Sequence, residues 1–330
     1  ANTSLPDFRD PKVFWHEESG KWIMCLAKGW SYDMEIWGSS DLKNWSYLST
    51  FATPEYVRCN KGQWECPDLI CMDYKGGKKW VMIISTNPGG PAGGSGIFYF
   101  PGEFDGSVFT ADAREDYPLW LDSGADNYAG VTWHNAPDGR HVLIGWMNNW
   151  NYAGVCPVSP WRSAFTLPRE LKLVDFGGKP YLSANVVAEI DGIASDWREA
   201  AGDLAAKDAY HLQVEADMSR TTTLALSNAA GEKLEITVNG PARHMAVKRN
   251  AKTGDVSFNS SFSLPSIGCE LLADGPTALL NIYVDRSSVE ITAGEGITAQ
   301  TNLVFPSSIY NNFSADQPIT ARVRDLGRIW

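Results

Sequence analysis

The chain has 330 residues, enough for two domains, and carries 28 basic against 39 acidic residues, a net charge of −11. This charge argues against nucleic acid or an anionic membrane as a partner, and no apolar run is long enough to span a bilayer. The six cysteines form no Cys-x-x-Cys pair, so we expect no zinc site and no other cofactor. The fourteen tryptophans suit sugar rings, which also have apolar faces, although any single one is more simply a core residue.

Three similar segments succeed one another in the first half of the chain. They are GKWIMCLAKG at 20–29, KKWVMIISTN at 78–87 and GRHVLIGWMN at 139–148. Each follows a polar turn, and each turn follows a short apolar run: VFW at 13–15, LICM at 69–72 and GVTW at 130–133. A repeated strand–turn–strand unit is typical of a β-propeller, in which the first strand of each blade lines the central channel.

An acidic residue stands just before each of these first strands: Asp10, Glu65 and Asp126. Equivalent positions of a propeller face one another around its axis, so we expect the three carboxylates to converge there. Converging carboxylates repel one another, which favours the protonated form of at least one of them. Acids at strand starts can also serve only to cap turns, but three acids at matched positions favour a functional site.

A weaker fourth unit begins with PWRSAFTLPRELKL at 160–173 and turns at 175–178. It places Arg162 about where the other units place their acid. We therefore expect four strand–turn–strand units in the first half of the chain.

The second half of the chain has a different texture. Short alternating runs such as YHLQVEADM at 210–218 are separated by turn residues, which is typical of an antiparallel β-sandwich. No catalytic constellation stands out there, and His211 and His244 are most simply surface histidines or histidines with satisfied hydrogen bonds. We expect the following division: a propeller at 1–185, a linker at 186–202 and a β-sandwich at 203–330.

Five motifs of the sequence resemble the glycoside hydrolase family 32 β-fructosidases, which include invertases, levanases and inulinases. They are Arg9-Asp10-Pro11 followed by KVFW, Trp64-Glu65-Cys66-Pro67-Asp68, GWMNNWNYA at 145–153, SPWRSAFTLPREL at 159–171 and DRSSVEI at 285–291. The resemblance implies an all-β fold, a five-bladed β-propeller followed by a β-sandwich. It also implies retaining hydrolysis of terminal β-D-fructofuranosyl residues from levan, inulin or sucrose.

The resemblance also implies roles for single residues. Glu65 matches the general acid/base, and Asp10 matches the residue that stabilises the transition state by binding fructose hydroxyls. Arg9 and Trp146 match positions that contact fructose. Asp126 is expected to bind substrate too, although its motif reads ADNYAG where relatives usually read Asp-Phe-Tyr-Ala.

A general acid of this kind must be protonated near neutral pH to give its proton to the leaving oxygen. An apolar pocket and neighbouring carboxylates favour the protonated form of a carboxyl group. We therefore expect Trp64, Cys66 and Pro67 to form part of such a pocket around Glu65.

The family's nucleophile is an aspartate in a Trp-Met-Asn-Asp-Pro-Asn-Gly motif on the first blade, upstream of Arg-Asp-Pro. The stretch Trp146-Met147-Asn148-Asn149 is only superficially similar, because it lacks the aspartate and the Pro-Asn-Gly. We expect these 330 residues to lack the first blade and to be inactive alone. The missing N-terminal segment is then an expected partner.

Two other functions are compatible with parts of this pattern. One is a non-catalytic fructan-binding protein of the same fold, and the other is a different five-bladed glycosidase, such as an arabinanase-like enzyme. The intact Arg-Asp-Pro and Glu-Cys-Pro motifs argue against a pure binding protein, which needs no proton donor. We expect a secreted or periplasmic protein.

Overall fold

The structure is a computed structural model that describes residues 6–52, 62–136, 138–206, 208–249 and 258–328. Within these ranges almost all regular structure is β-strand, as predicted. The described residues include short 3₁₀ turns at Ala153–Val155, Ala188–Ile193 and Gly294–Gly296. Among the described residues, no helix is long and apolar enough to cross a membrane.

Three antiparallel sheets follow one another in the first half. The first holds β1 (Phe8–His16), β2 (Lys21–Lys28), β3 (Asp33–Ser39) and β4 (Ser46–Ala52). The second holds β5 (Gln63–Tyr74), β6 (Gly77–Asn87), β7 (Gly96–Phe104), β8 (Phe109–Ala111) and β9 (Leu119–Asp122). The third holds β10 (Tyr128–Thr132), β11 (His141–Met147), β12 (Ala164–Phe165), β13 (Arg169–Phe176) and β14 (Lys179–Val186).

The first strands of the three sheets lie side by side. Strand β5 contacts both β1 and β10, so the three sheets meet at their first strands, as blades do around an axis. Their inner faces share one apolar core, which includes Trp64, Phe98 and Phe100. The predicted strand–turn–strand repeat is therefore confirmed for these three units.

The predicted fourth unit is wrong. Strands β12 and β13 both begin within the 160–173 segment, and both pair with β11. Strand β14 pairs with β13. The segment thus completes the third sheet, whose outer strands the sequence pattern had assigned to a new unit. Arg162 lies outside any strand and donates from Nε to the carbonyl of Cys156 at 3.1 Å.

The second half forms two six-stranded antiparallel sheets that pack face to face. One contains β15 (Arg198–Glu199), β17 (Tyr210–Asp217), β22 (Thr277–Asp285), β23 (Ser288–Ala293), β24 (Thr298–Leu303) and β26 (Thr320–Asp325). The other contains β16 (Gly202–Asp203), β18 (Thr221–Ser227), β19 (Lys233–Asn239), β20 (His244–Arg249), β21 (Ile267–Glu270) and β25 (Asn312–Ala315). Buried and less buried residues alternate along β18 and β19, as expected for strands with one face on a core. Strand β15 lies within the predicted linker and pairs with the sandwich, while the division into 1–185, 186–202 and 203–330 stays a prediction.

A buried ion pair joins the propeller sheets to the sandwich. Arg169 of β13 donates to Asp122 and to Glu290 of β23, both at 2.8 Å, and the three side chains are almost fully buried. Removing one partner from such a network leaves an uncompensated charge away from water, which is strongly destabilising. The network therefore constrains how the two units meet.

His211 is a structural histidine of the sandwich. Its ring stacks on Tyr283, with centroids 4.1 Å apart, contacts Trp197, and lies 3.0 Å from the side-chain oxygen of Asn281. Burial and the nearby charge of Arg324 lower the pKa of His211 to about 4, although the hydrogen bond with Asn281 opposes this. The folded protein thus holds the ring neutral.

We expect the free energy of unfolding to fall less at acid pH in His211→Gln than in the wild type. Unfolding returns His211 to a pKa of about 6.5, so between pH 6.5 and about 4 the unfolded chain binds a proton that the folded chain does not. Stability therefore falls as the pH falls through this window, by about 2–3 kcal/mol more in the wild type than in the variant. Urea unfolding at pH 7 and 4.5 measures the difference, and an equal loss in both proteins would contradict it.

Candidate active site

The first strands of the three sheets break register at the same point. Each has a β-bulge in which two residues oppose one on the second strand. The bulges lie between Arg9 and Lys12, between Glu65 and Asp68, and between Tyr128 and Val131. One residue in each bulge has a left-handed φ: Asp10 at 62°, Cys66 at 47° and Ala129 at 51°. Bulges re-aim side chains, and strained non-glycine backbone often marks functional sites, so the three bulges define a candidate site.

The bulges correct the alignment of the three repeats. By position, Arg9 and Tyr128 are the counterparts of Glu65, and Cys66 is the counterpart of Asp10. The predicted counterparts of Glu65, which were Asp10 and Asp126, are therefore wrong by one residue in the first repeat and by two residues in the third. A bulge inserts a residue that an apolar strand pattern does not reveal.

Glu65 receives hydrogen bonds from two of these neighbours. Arg9 donates from Nη2 to one carboxylate oxygen, and the hydroxyl of Tyr128 donates to the other. The Glu65 side chain is 14% exposed, so substrate can reach a carboxyl group that is otherwise enclosed. Glu65 thus has two hydrogen-bond donors beside it, which the prediction of an apolar pocket did not include.

Trp64 does not line the site. Its indole is fully buried and packs against Phe51, Phe98 and Phe100 in the propeller core. Successive side chains of a strand point to opposite faces, so a core-facing Trp64 is consistent with a Glu65 that faces the axis.

Asp10 lies directly beside the segment that carries Glu65. Its Oδ2 accepts a hydrogen bond from the backbone N–H of Cys66 at 3.0 Å and lies 3.6 Å from the Cys66 sulfur. Burial, together with the negative charges of Asp10 and Glu65, raises the pKa of Cys66 to about 12. The thiol therefore stays protonated and is not a nucleophile.

Arg9 joins a further acid to the site. It pairs with Asp7 through Nη1, and Asp7 also accepts a hydrogen bond from the indole of Trp30 at 3.0 Å. The hydrogen bond from Arg9 lowers the pKa of Asp7, so this carboxylate stays ionised. Asp7 could not be predicted from the sequence, because nothing around it distinguishes it from a solvated loop acid.

Asp126 does not converge with Asp10 and Glu65. Its buried carboxylate accepts from the hydroxyl of Tyr152 at 2.5 Å, from Arg249 at 2.6 Å and from the backbone N–H of Leu303 at 2.8 Å. Arg249 and Leu303 belong to the sandwich, so Asp126 faces the junction of the two units. Its predicted role in substrate binding stays a prediction, and these contacts give it no support.

Aromatic rings extend the site from Tyr128 towards solvent. Trp146 is the register partner of Tyr128 across β10 and β11, with ring centroids 6.3 Å apart. Trp150 lies 5.1 Å from Trp146 and is 60% exposed. These rings form a flat apolar wall suited to a sugar face.

A hydrogen-bonded cluster of Lys12, Asp68 and Thr132, which we call the polar tie, links the three first strands. The ammonium of Lys12 lies 2.9 Å from Asp68 and 2.6 Å from the carbonyl of Thr132, while the N–H and hydroxyl of Thr132 donate to Asp68. These residues sit just beyond the bulges of β1, β5 and β10. The polar tie therefore fixes the relative positions of the three bulges. No cluster of three potential metal ligands occurs in the described ranges.

Residues 1–184 match the family described as glycosyl hydrolases family 32 N-terminal domain, and residues 187–322 match the glycosyl hydrolases family 32 C terminal. The chain is 36% identical to the levanase of Bacillus subtilis, over 92% of this chain and 47% of that protein. It is 37% identical to an extracellular exo-inulinase of Aspergillus niger, over 98% of this chain and 65% of that protein. The chain thus spans from about half to about two thirds of the length of these relatives.

Solved structures are similar over nearly the whole chain. The exo-inulinase from Aspergillus awamori superposes with a TM-score of 0.88 at 32% identity, covering 98% of this chain and 68% of that one. The β-fructofuranosidase from Schwanniomyces occidentalis superposes with a TM-score of 0.81 at 25% identity, covering 99% and 72%.

Proposed function

The chain belongs to glycoside hydrolase family 32, and we propose that its site removes terminal β-D-fructofuranosyl residues from levan, inulin or sucrose. The observation that carries this proposal is the position of Asp10 next to the bulge that follows Glu65, where the Asp10 carboxylate accepts a hydrogen bond from the backbone N–H of Cys66 at 3.0 Å. Family membership also rules out the arabinanase-like alternative.

Glu65 is the general acid/base of the proposed reaction. It gives its proton to the leaving oxygen and then takes a proton from the attacking water. Arg9 and Tyr128 hold its two oxygens in place, which is what a proton transfer of defined direction requires. Asp10 binds fructose hydroxyls, and Trp146 presents its ring to the sugar.

A retaining mechanism also needs a nucleophilic carboxylate roughly 5–5.5 Å from the acid/base. The sequence contains no Asn-Asp-Pro triplet, the core of the motif that carries the nucleophile in similar enzymes. Asp7 is close to Glu65 through their shared Arg9, but that ion pair occupies its carboxylate. We therefore propose that polypeptide beyond these residues supplies the nucleophile. We also propose a location outside the cytoplasm, which the name "extracellular" of similar exo-inulinases supports.

The test is product analysis on protein that carries this chain together with its native flanking sequence. Levan, inulin and sucrose are each incubated with it, and early products are read by NMR. We expect free fructose that appears first as the β-furanose, the result of retention. No fructose from any of the three substrates, or the α-anomer first, would overturn the proposal.

Tyr128→Phe is expected to move the alkaline limb of the pH–rate profile to higher pH. Burial and the hydrogen bond to Glu65 raise the pKa of Tyr128 well above its ordinary value, so its hydroxyl stays a donor throughout the working range. Without that donor the ionised form of Glu65 is less favoured, and the rate at the optimum falls by about tenfold. Measurement of kcat/KM against pH gives both quantities.

Tyr99→Phe is the matched control, since the buried Tyr99 hydroxyl accepts from the N–H of Leu182 at 3.0 Å, away from the site. We expect its profile to overlay that of the wild type. An alkaline limb unmoved in Tyr128→Phe would mean that this hydroxyl does not act on Glu65.

A further inference from the structure

Two residues of one short segment face two different parts of the molecule. Asp126 faces the sandwich, while Tyr128, two residues later, donates to Glu65 at the candidate active site. The segment between them ends at the bulge of β10, where Ala129 has a φ of 51°. Whatever fixes Asp126 therefore also limits where the Tyr128 ring can lie.

The sandwich fixes Asp126 through Arg249, the last residue of β20. Both side chains are essentially buried, with 1% and 0% exposed, and they are 2.6 Å apart. The backbone N–H of Leu303 on β24 adds a second donor from the sandwich at 2.8 Å. Burial by itself would lower the pKa of Arg249, but its interactions with Asp126 and Tyr152 together raise it, so the guanidinium stays charged.

Arg249 is itself held on all sides. Its guanidinium lies over the ring of Phe262 at 3.9 Å, and Nε donates to the Phe262 carbonyl at 3.2 Å. Its two terminal nitrogens donate to Asp126, to the Leu303 carbonyl at 3.2 Å and to the Tyr152 hydroxyl at 3.0 Å. With every nitrogen engaged, the head group has one position, and so has the carboxylate that it binds.

We propose that Arg249 is a positioning residue that holds Tyr128 against Glu65 by anchoring Asp126. This inference rests on the proposed role of Glu65 as the general acid/base. It gives the sandwich a part in the chemistry, because an arginine of the second unit sets the hydrogen bonding of the catalytic carboxyl group. It also gives Asp126 a role that does not require contact with substrate.

Other titratable or charged groups lie near Glu65 besides Tyr128. They are Arg9 and Asp10 on β1, Asp7 just before it, and Cys66 on β5 itself. The variants used to measure a pH profile must leave these residues unchanged. Within the described ranges, the hydrogen bonds and ion pairs of Arg249 go to none of these four side chains, so the hydrogen-bonded route from Arg249 to Glu65 runs through Asp126 and Tyr128.

The experiment compares Arg249→Met, Tyr128→Phe and the double variant in protein that carries this chain with its flanking sequence. We expect Arg249→Met to move the alkaline limb of kcat/KM upwards by about half a pH unit or more, as Tyr128→Phe does. The double variant should shift no further than Tyr128→Phe alone, since both changes remove the same hydrogen bond. An unmoved limb in Arg249→Met, or additive shifts in the double variant, would overturn the proposal.

A milder variant covers the case in which Arg249→Met does not fold. Tyr152→Phe removes only the hydroxyl that binds both Asp126 and Arg249. We expect a smaller shift in the same direction, and no shift would also overturn the proposal. Glu290→Gln is the matched control, because it weakens the other buried ion pair between the two units and leaves Asp122 bound to Arg169. It should lower stability without moving the limb.

A second readout separates this proposal from the proposed function. The wild-type protein tests the function by releasing fructose or failing to do so. NMR of ¹³C-labelled tyrosine, with the Tyr128 signal assigned by its loss in Tyr128→Phe, tests the positioning without activity. The Tyr128 signal should shift in Arg249→Met and stay in place in Glu290→Gln. A signal unchanged in Arg249→Met would overturn the positioning role even in a fully active enzyme.

Discussion

Glu65→Gln is expected to lower fructose release from levan, inulin or sucrose by at least about a hundredfold, since proton donation contributes on the order of 10²–10⁴ in rate. Glutamine keeps the shape of the side chain, and its amide oxygen can still accept from either Arg9 or Tyr128. The variant therefore removes the transferable proton while changing little else. Initial rates on the natural substrates, measured in protein that carries this chain with its flanking sequence, give the loss.

A second substrate separates acid catalysis from a general loss of structure. A fructoside whose leaving group departs without protonation should lose far less activity in Glu65→Gln, because the missing proton is no longer needed. Glu103→Gln serves as the control, since Glu103 is an exposed glutamate on β7 that pairs with Lys79. Equal losses on both kinds of substrate would show that Glu65 is not the acid.

The fold was largely predictable from the sequence because the two halves have different hydrophobic patterns. The strand–turn–strand repeat and the alternating runs each report burial on one face, which is a local property. The prediction of a fourth unit was wrong because strand pairing is not a local property of the sequence. The 160–173 segment has a strand pattern of its own, and only the structure shows that it adds to the edge of β11.

The parts of the site that lie in family motifs were predictable from the sequence. The parts that depend on β-bulges or on the β-sandwich were not. Asp10 lies beside the segment that carries Glu65, as the repeat predicted. Asp126 does not join them, and the contact of Arg9 with Glu65 was not predicted. Tyr128 was not predicted because Asp126, two residues earlier, matches the acidic residue that precedes the first strand in the other two repeats. Arg249 lies in a run that reads as ordinary sandwich strand, and its distance of 123 residues from Asp126 in the chain hides their pairing. The tyrosine of ADNYAG, an aromatic donor at a strand start, was the one available signal.

Asp10→Asn is expected to lower turnover by about a hundredfold or more while weakening substrate binding only slightly. The hydrogen bonds from fructose hydroxyls to an anionic acceptor strengthen as the ring flattens and positive charge develops in the transition state, and such bonds supply several kcal/mol. Asparagine retains an acceptor but not the charge, so the loss falls mainly on the transition state. Steady-state kinetics and direct titration with a slowly cleaved fructan measure the two effects separately.

The choice of asparagine follows from the backbone at this position. Asp10 has a φ of 62°, a region in which asparagine and aspartate are several-fold enriched over other non-glycine residues, so Asp10→Asn adds little strain. Its side-chain oxygen can still accept from the N–H of Cys66, the contact that holds the bulges of β1 and β5 together. Asp10→Ala removes that contact as well and should lose stability in addition to turnover. Normal turnover with weaker binding in Asp10→Asn would mean that Asp10 recognises the substrate in its ground state and does not stabilise the transition state.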